Sequence, residues 1–233
     1  MCTLTYVPLK NQRVVTANRD ESPVRSARVL RRYLTADDQQ YFIAAEPVHG
    51  GTNIALGQNG RHCVLLNGAF EPHDMSLTYG LSRGIVVLKS LDFNNAFEFA
   101  DQFDFKKENI QPFTLIDFSD SIRELRWDGD SVFKKEYSVN EPHIWASAQM
   151  YSAEARQNRL AWFKHLLKKD VNASDILDFH FYAGNGDPEN DLVMNRGGVV
   201  CTVSITQVSE IEDSKAIKHF DLVSGTESDY KFE

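Results

Sequence analysis

The sequence predicts an α+β fold built from layered sheets and helices, and three observations lead there. Strand-like segments fill both ends of the chain and much of its middle. Helix-like segments come in separate blocks, giving the order strands, helix, strands, two helices, strands. The strict strand–helix alternation of a doubly wound parallel sheet is missing.

Taken in order, Thr3–Val7 alternates as a strand, Pro8–Gln12 is a polar turn, and Arg13–Ala17 is extended again. Two short strands around a compact turn make an N-terminal hairpin, which brings residue 2 close to the residues just past 17. Tyr41–Ala45 and His62–Leu66 are further strands, separated by the turns Gly50–Gly51–Thr52 and Gly57–Gln58–Asn59–Gly60. Asn94–Phe103 places Phe97, Ala100 and Phe103 at helical spacing. Thr114–Phe118, Ser121–Trp127 and Ser131–Glu136 form a meander whose Asp128–Gly129 turn is a strong hairpin signal. His143–Ser147 is a strand leading into a helix over Ser152–Lys168, with Ser152 as N-cap and Leu160, Phe163 and Leu167 on one face. A shorter helix covers Ser174–Phe181 with Ser174 as cap, and strands return at Val199–Thr206 and Ile217–Val223. No linker or repeat divides the chain, so residues 1–233 read as one domain.

Of the 233 residues 42% are hydrophobic, enough to bury a core without disulfides or metals. A net charge of -8 argues against a nucleic-acid binder, which needs a basic face for phosphates. The basic stretch at Arg25, Arg28, Arg31 and Arg32 reads as a solvated or salt-bridged loop, the alternative being a contact for an anionic substrate or partner. No apolar run is long enough to span a membrane. The start, MCTLTYVPLKNQ, lacks the basic and apolar regions of a secretory leader. Cys2, Cys63 and Cys201 are too few and too scattered for a disulfide framework, which fits a reducing cytoplasm.

The motifs for phosphate, dinucleotide and zinc binding are missing, as is the serine-hydrolase elbow. The segment GNGDPEND at Gly184–Asp191 alternates acidic residues, but its glycine and distal acid do not fit a calcium loop, so it reads as an ordered acidic turn. Neither a metal nor an organic cofactor is expected.

Residue 2 remains. Once Met1 is removed, Cys2 carries a thiol and a free α-amine on one residue. The amine has an ordinary pKa of about 7.7–8.0 and the thiol about 8.5. Near neutral pH the amine can therefore act as general base toward its own thiol, directly or through one water, with no histidine required. The bland alternative is a small buried apolar residue in an edge strand. The run Ala17–Pro23 ends the partner strand with polar and charged groups. An aspartate there can orient the amine, and an arginine can stabilise a thiolate or grip a carboxylate. Asn67 interrupts the apolar run Cys63–Leu66, where its amide can form a turn with Gly68 or donate to a developing oxyanion.

Met1-Cys2-Thr3 followed by Ala17-Asn18-Arg19-Asp20-Glu21 resembles the NRDE family, that of transport and Golgi organisation protein 2. Gly50-Gly51-Thr52 with Leu56-Gly57 resembles the family's GGTWLG segment, with Asn53 in place of the tryptophan and one extra residue. Ser82-Arg83-Gly84 resembles its SRG turn. His143 to Ser147, Tyr151-Ser152, Arg159, Trp162-Phe163, Gly186 to Asp191 and Thr202 to Thr206 also match, so the resemblance spans nearly the whole chain.

The family is similar in turn to choloylglycine hydrolases and penicillin acylases of the N-terminal-nucleophile superfamily. That resemblance implies a four-layer αββα sandwich and hydrolysis of a linear amide C–N bond, or acyl transfer from it, in a small-molecule substrate. It implies Cys2 as nucleophile, Asp20 on its amine and Asn67 in the oxyanion hole. The superfamily's arginine falls at Ala17, and Arg19 is the charge offered nearby. Asn18 matches a segment residue beside the substrate. A second oxyanion asparagine falls near Ala146–Ser147, where Ser147 or a backbone N–H substitutes. The rival reading is a non-catalytic protein on the same fold that binds or carries haem or lipid.

Overall fold

The computed structural model of the chain describes residues 2–232 apart from Met75 and Asp213, and the backbone alone of Cys2. The chain divides into two compact units. Unit 1 comprises Met1–Leu30, Asn140–Ala146 and Tyr151–Glu233, and unit 2 comprises Arg31–Val139 and Ser147–Met150.

The centre of unit 1 is the expected hairpin, β1 (Cys2–Leu9) and β2 (Gln12–Glu21). In unit 2, β3 (Arg31–Leu34), β4 (Gln40–Ile43), β5 (Ile54–Gly57), β6 (His62–Asn67), β7 (Phe113–Phe118), β8 (Ile122–Trp127) and β9 (Val132–Tyr137) form one antiparallel meander in chain order. Helices α1 (Arg83–Ser90) and α2 (Ala96–Gln102) pack on this sheet. One strand face, carrying Tyr41, Ile43, Cys63, Leu65, Phe113 and Leu115, joins Val86, Val87 and Phe99 of the helices in one apolar cluster, as the period of two in a strand requires. A Cβ on Gly84 would come 2.9 Å from the Cα of Gly51, so both positions need glycine for α1 to approach the loop before β5.

The rest of unit 1 is β10 (His143–Ala146), α3 (Ala153–Leu166), α4 (Ala173–Tyr182), β11 (Asn195–Arg196), β12 (Val200–Ile211), β13 (Ser214–Asp221) and β14 (Thr226–Phe232). The antiparallel sheet runs β10-β1-β2-β12-β13-β14, with the short β11 added to β12. Val7 and Val14 meet Phe163 of α3, Ile176 and Phe179 of α4, and Leu192 on the helix-covered face. Each unit is thus a helix layer on an antiparallel sheet, and the α+β expectation holds.

Three local expectations are corrected. β2 does not end at Ala17 but runs to Glu21, because Asn18, Arg19 and Asp20 keep pairing with β12 while their side chains are buried. On α3 the buried stripe is Ala155, Arg159 and Phe163, so an arginine takes the position assigned to Leu160. Its Nε and Nη2 find partners, described below, and its stem adds apolar contact. The cap of α4 is Asn172, not Ser174. Its side chain accepts from the N–H groups of Ser174 and Asp175 while Asp175 answers to the Asn172 N–H, a complete capping box. Ser152 caps α3 as expected, accepting from Ala155 N.

Candidate active site

The strand register brings the first part of the site together. The backbone of Cys2 pairs with Arg19, and Thr3 pairs with Asn18 on β2 and with Ala146 on β10. Met1 and the Cys2 thiol lie outside the described residues. Alternation sends Val14, Thr16, Asn18 and Asp20 toward the helix layer and Arg19 to the opposite face. A β-bulge in β12 between Thr202 and Ser204 breaks that strand's own alternation. Thr202 pairs with Asp20, whereas Ser204 pairs with Arg19. The extra residue turns the Thr202 hydroxyl onto the aspartate.

Asp20 is fully buried. Its Oδ1 accepts from Thr202 Oγ1 at 2.7 Å, and its Oδ2 accepts from the Tyr151 hydroxyl. Burial pushes its pKa up, opposed by these two donors and by the charge of Arg159. Arg159, also fully buried, lies with its guanidinium carbon 3.5 Å from the centre of the Tyr151 ring. Its Nε donates to Thr3 Oγ1 at 3.0 Å and its Nη2 to the Asp191 carbonyl at 2.9 Å. A buried carboxyl group is thus held by two hydroxyls and backed by a buried cation, an arrangement that offsets part of the cost of burying its charge.

Asn18 was expected beside the substrate. The structure engages both ends of its amide inside unit 1. Its Nδ2 donates to the carbonyls of His180 and Leu192 at 3.0 and 2.9 Å, and its Oδ1 meets His180 Nδ1. His180 Nε2 lies 2.7 Å from Thr5 Oγ1. Burial pushes the His180 pKa down to about 3, so the ring is neutral. Nδ1–H then donates to Asn18, and Nε2 accepts from Thr5. Arg19 is buried on the other face, and its charge is one cause of a lowered His219 pKa after burial itself.

In unit 2, Asn67 ends β6 in the row of Phe113 and Trp127 and is 7% exposed. Among the described residues its side-chain amide makes no hydrogen bond, so both of its N–H donors are available. Its carbonyl is fixed: Ser147 Oγ donates to it at 2.7 Å and Gln149 N at 3.3 Å. Gly68, with φ +82°, makes this closeness possible, because a Cβ there would lie 2.8 Å from Gln149 N. The single Ser147 hydroxyl proton is engaged by Asn67, which leaves its backbone N–H as the donor at that position.

The other two thiols are poor nucleophiles. Burial pushes Cys63 up to about 12, and it raises Cys201, helped by the charge of Asp20. Among the described residues no group of three or more His, Cys, Asp or Glu side chains could hold a metal ion. The Gly184–Asp191 turn is ordered by its own bonds: Asp191 accepts from the N–H groups of Asn185 and Gly186, and Asp187 from that of Glu189. No described helix is long and apolar enough to cross a membrane.

Sequence reasoning missed Tyr151, Thr202 and Arg159 as partners of Asp20. All three lie in segments that carry the family resemblance, and that was the only signal they gave.

Structural similarity spans the chain. Penicillin V acylase from Agrobacterium tumefaciens matches at a TM-score of 0.53 with 11% identity, covering 97% of this chain and 84% of its own. Two mutant forms of conjugated bile acid hydrolase from Clostridium perfringens match at 0.54 and 0.55, each with 10% identity and covering 100% of this chain and 97% of theirs. At that identity the likeness establishes the fold alone, the α+β fold of the N-terminal-nucleophile hydrolases. No curated protein matches the sequence. The model of one family, Transport and Golgi organisation 2, matches residues 1–195, and the chain belongs to that family.

Proposed function

We propose that the chain is an N-terminal cysteine hydrolase, or acyltransferase, acting on a linear amide bond of a small molecule. The observation that carries the reading is the register of Cys2 with Arg19, which sets the start of β1 beside a fully buried and doubly hydrogen-bonded Asp20. A buried carboxylate near the end of β2, beside the beginning of β1, suits a role in holding a terminal amine.

In this reading removal of Met1 frees the Cys2 amine, and Asp20 orients it. The amine takes the thiol proton as Sγ bonds to the amide carbon. Asn67 and the Ser147 N–H donate to the oxyanion, and Arg19 supplies positive charge nearby. The intermediate collapses, the C–N bond breaks, and the leaving amine takes the proton back from the Cys2 ammonium. Water, or an acceptor amine, then attacks the thioester, releasing the acyl group and restoring the thiol. No step calls for a metal or organic cofactor. The two units act as one domain, and the thiols Cys63 and Cys201 are consistent with a reducing compartment such as the cytoplasm.

Incubation with an activated acyl thioester, followed by peptide mass mapping, tests the reading. One acyl mass on Cys2, lost on standing in water, supports it. Equal acylation of Cys2→Ser and the parent chain removes it.

A further inference from the structure

Helices α3 and α4 pack side by side in unit 1, and a cavity of about 480 Å³ opens between them. That volume falls in the range of small-molecule sites, roughly 300–1,000 Å³. Trp162 and Leu166 line it from α3, and Phe179 and Tyr182 line it from α4. Phe179 is buried, whereas Tyr182 is 80% exposed. Asp170 and Asp178 also line it, and neither makes a hydrogen bond or ion pair among the described residues. Asp175 differs, because its Oδ2 accepts from Asn172 N in the cap of α4. Lys169 and His165 complete the polar lining.

We propose that this groove binds a small organic ammonium ion, one with alkyl groups on or next to the nitrogen. Three aromatic side chains and two unpaired carboxylates share one cavity. Aromatic faces carry a negative quadrupole that attracts cations, tryptophan most strongly, and an alkylated ammonium also buries apolar surface against them. Asp170 and Asp178 add charge of the right sign, and with Asp175 they outnumber Lys169. An anionic ligand meets repulsion from the same groups. A metal ion has no apolar surface to bury against the aromatic lining and holds its water strongly, and a neutral apolar ligand gains nothing from the carboxylates. The inference stands apart from the hydrolase reading and uses none of its residues.

The test is calorimetric titration of the full chain with choline and with neohexanol, its uncharged carbon isostere. Saturable one-to-one binding of choline is expected, with neohexanol roughly tenfold weaker or worse. Asp170→Asn combined with Asp178→Asn is expected to weaken choline roughly fivefold, and Trp162→Leu to weaken it further. Tyr182→Ser, at an exposed position, reports on the aromatic contribution without threatening the fold. Cys2→Ser is expected to bind choline as the parent does, so failure of the hydrolase reading leaves this one standing. Equal binding of the two probes overturns the proposal, as does choline binding indifferent to these substitutions or no saturable heat at all. Concentration-dependent dimerisation abolished by Tyr182→Ser would also overturn it, by making the groove a self-association surface.

Discussion

Tyr151→Phe isolates one of the two hydroxyl bonds that oppose protonation of buried Asp20. It deletes one hydroxyl, retains the ring over which Arg159 stacks, and leaves Asp20 Oδ2 without its donor in a site closed to water. A hydrogen bond to a charged group contributes about 1.5–3 kcal/mol, and an unsatisfied buried acceptor puts the loss toward the upper half of that range. For a chain of this length about 2 kcal/mol corresponds to a melting temperature lower by about 4–8 °C. The sign with pH follows from Asp20. Its folded pKa is already raised by burial, and losing Tyr151 raises it further. The penalty is therefore full where Asp20 is ionised and shrinks as falling pH protonates it. Urea unfolding of the parent, Tyr151→Phe, Asp20→Asn and the double variant at pH 8 and pH 5 measures this. The expected result is a coupling energy of about 1.5 kcal/mol or more at pH 8, smaller at pH 5. A Tyr151→Phe loss below about 0.5 kcal/mol, or the same loss with and without Asp20, refutes the argument.

Asn67→Ala is expected to lower kcat roughly 10²–10³-fold toward an amide while leaving KM nearly unchanged, since an oxyanion donor acts in the transition state; a change confined to KM contradicts that role. Stability is expected to fall on mild acidification. His180 has its folded pKa lowered from 6.5 to about 3, so its contribution is complete above pH 6.5 and is lost by about 1.4 kcal/mol per pH unit below it. The lowered pKa of His219 acts in the same direction, and the raised pKa of Asp20 opposes both. His180→Gln is expected to flatten the slope in urea unfolding between pH 7 and pH 5, and an unchanged slope assigns it elsewhere. Asn172→Ala removes the α4 capping box and is expected to destabilise by about 1 kcal/mol, with no effect meaning the box forms only weakly.

Much of the architecture could be read from the chain because its patterns are local. The β1–β2 hairpin follows from alternation around a polar turn, and the β7–β9 meander from alternation and the strong Asp128–Gly129 turn signal. α1 escaped notice because Ile85, Val86 and Val87 are β-branched, and only packing against β6 and the Gly51–Gly84 contact make that segment helical. β14 escaped because Thr226–Phe232 is polar and pairs with a single neighbour. At the candidate site, the pairing of the Cys2 backbone with the segment around Arg19 and Asp20 was legible because hairpin register is itself local. The holders of Asp20 were not. Tyr151 and Thr202 arrive from distant segments, and Thr202 is turned inward by a bulge that no periodicity announces. Asn18 is expected beside the substrate from the family segment, and nothing local announces that His180 and Leu192, far along the chain, engage its amide.

The intact mass of the purified chain after exposure to an acyl donor bears most directly on the central proposal. The expected species lacks Met1 and carries one acyl group, on Cys2 and on neither Cys63 nor Cys201. A chain that keeps Met1 while remaining fully active has no free amine on its cysteine, and the proposed chemistry could not then be its own.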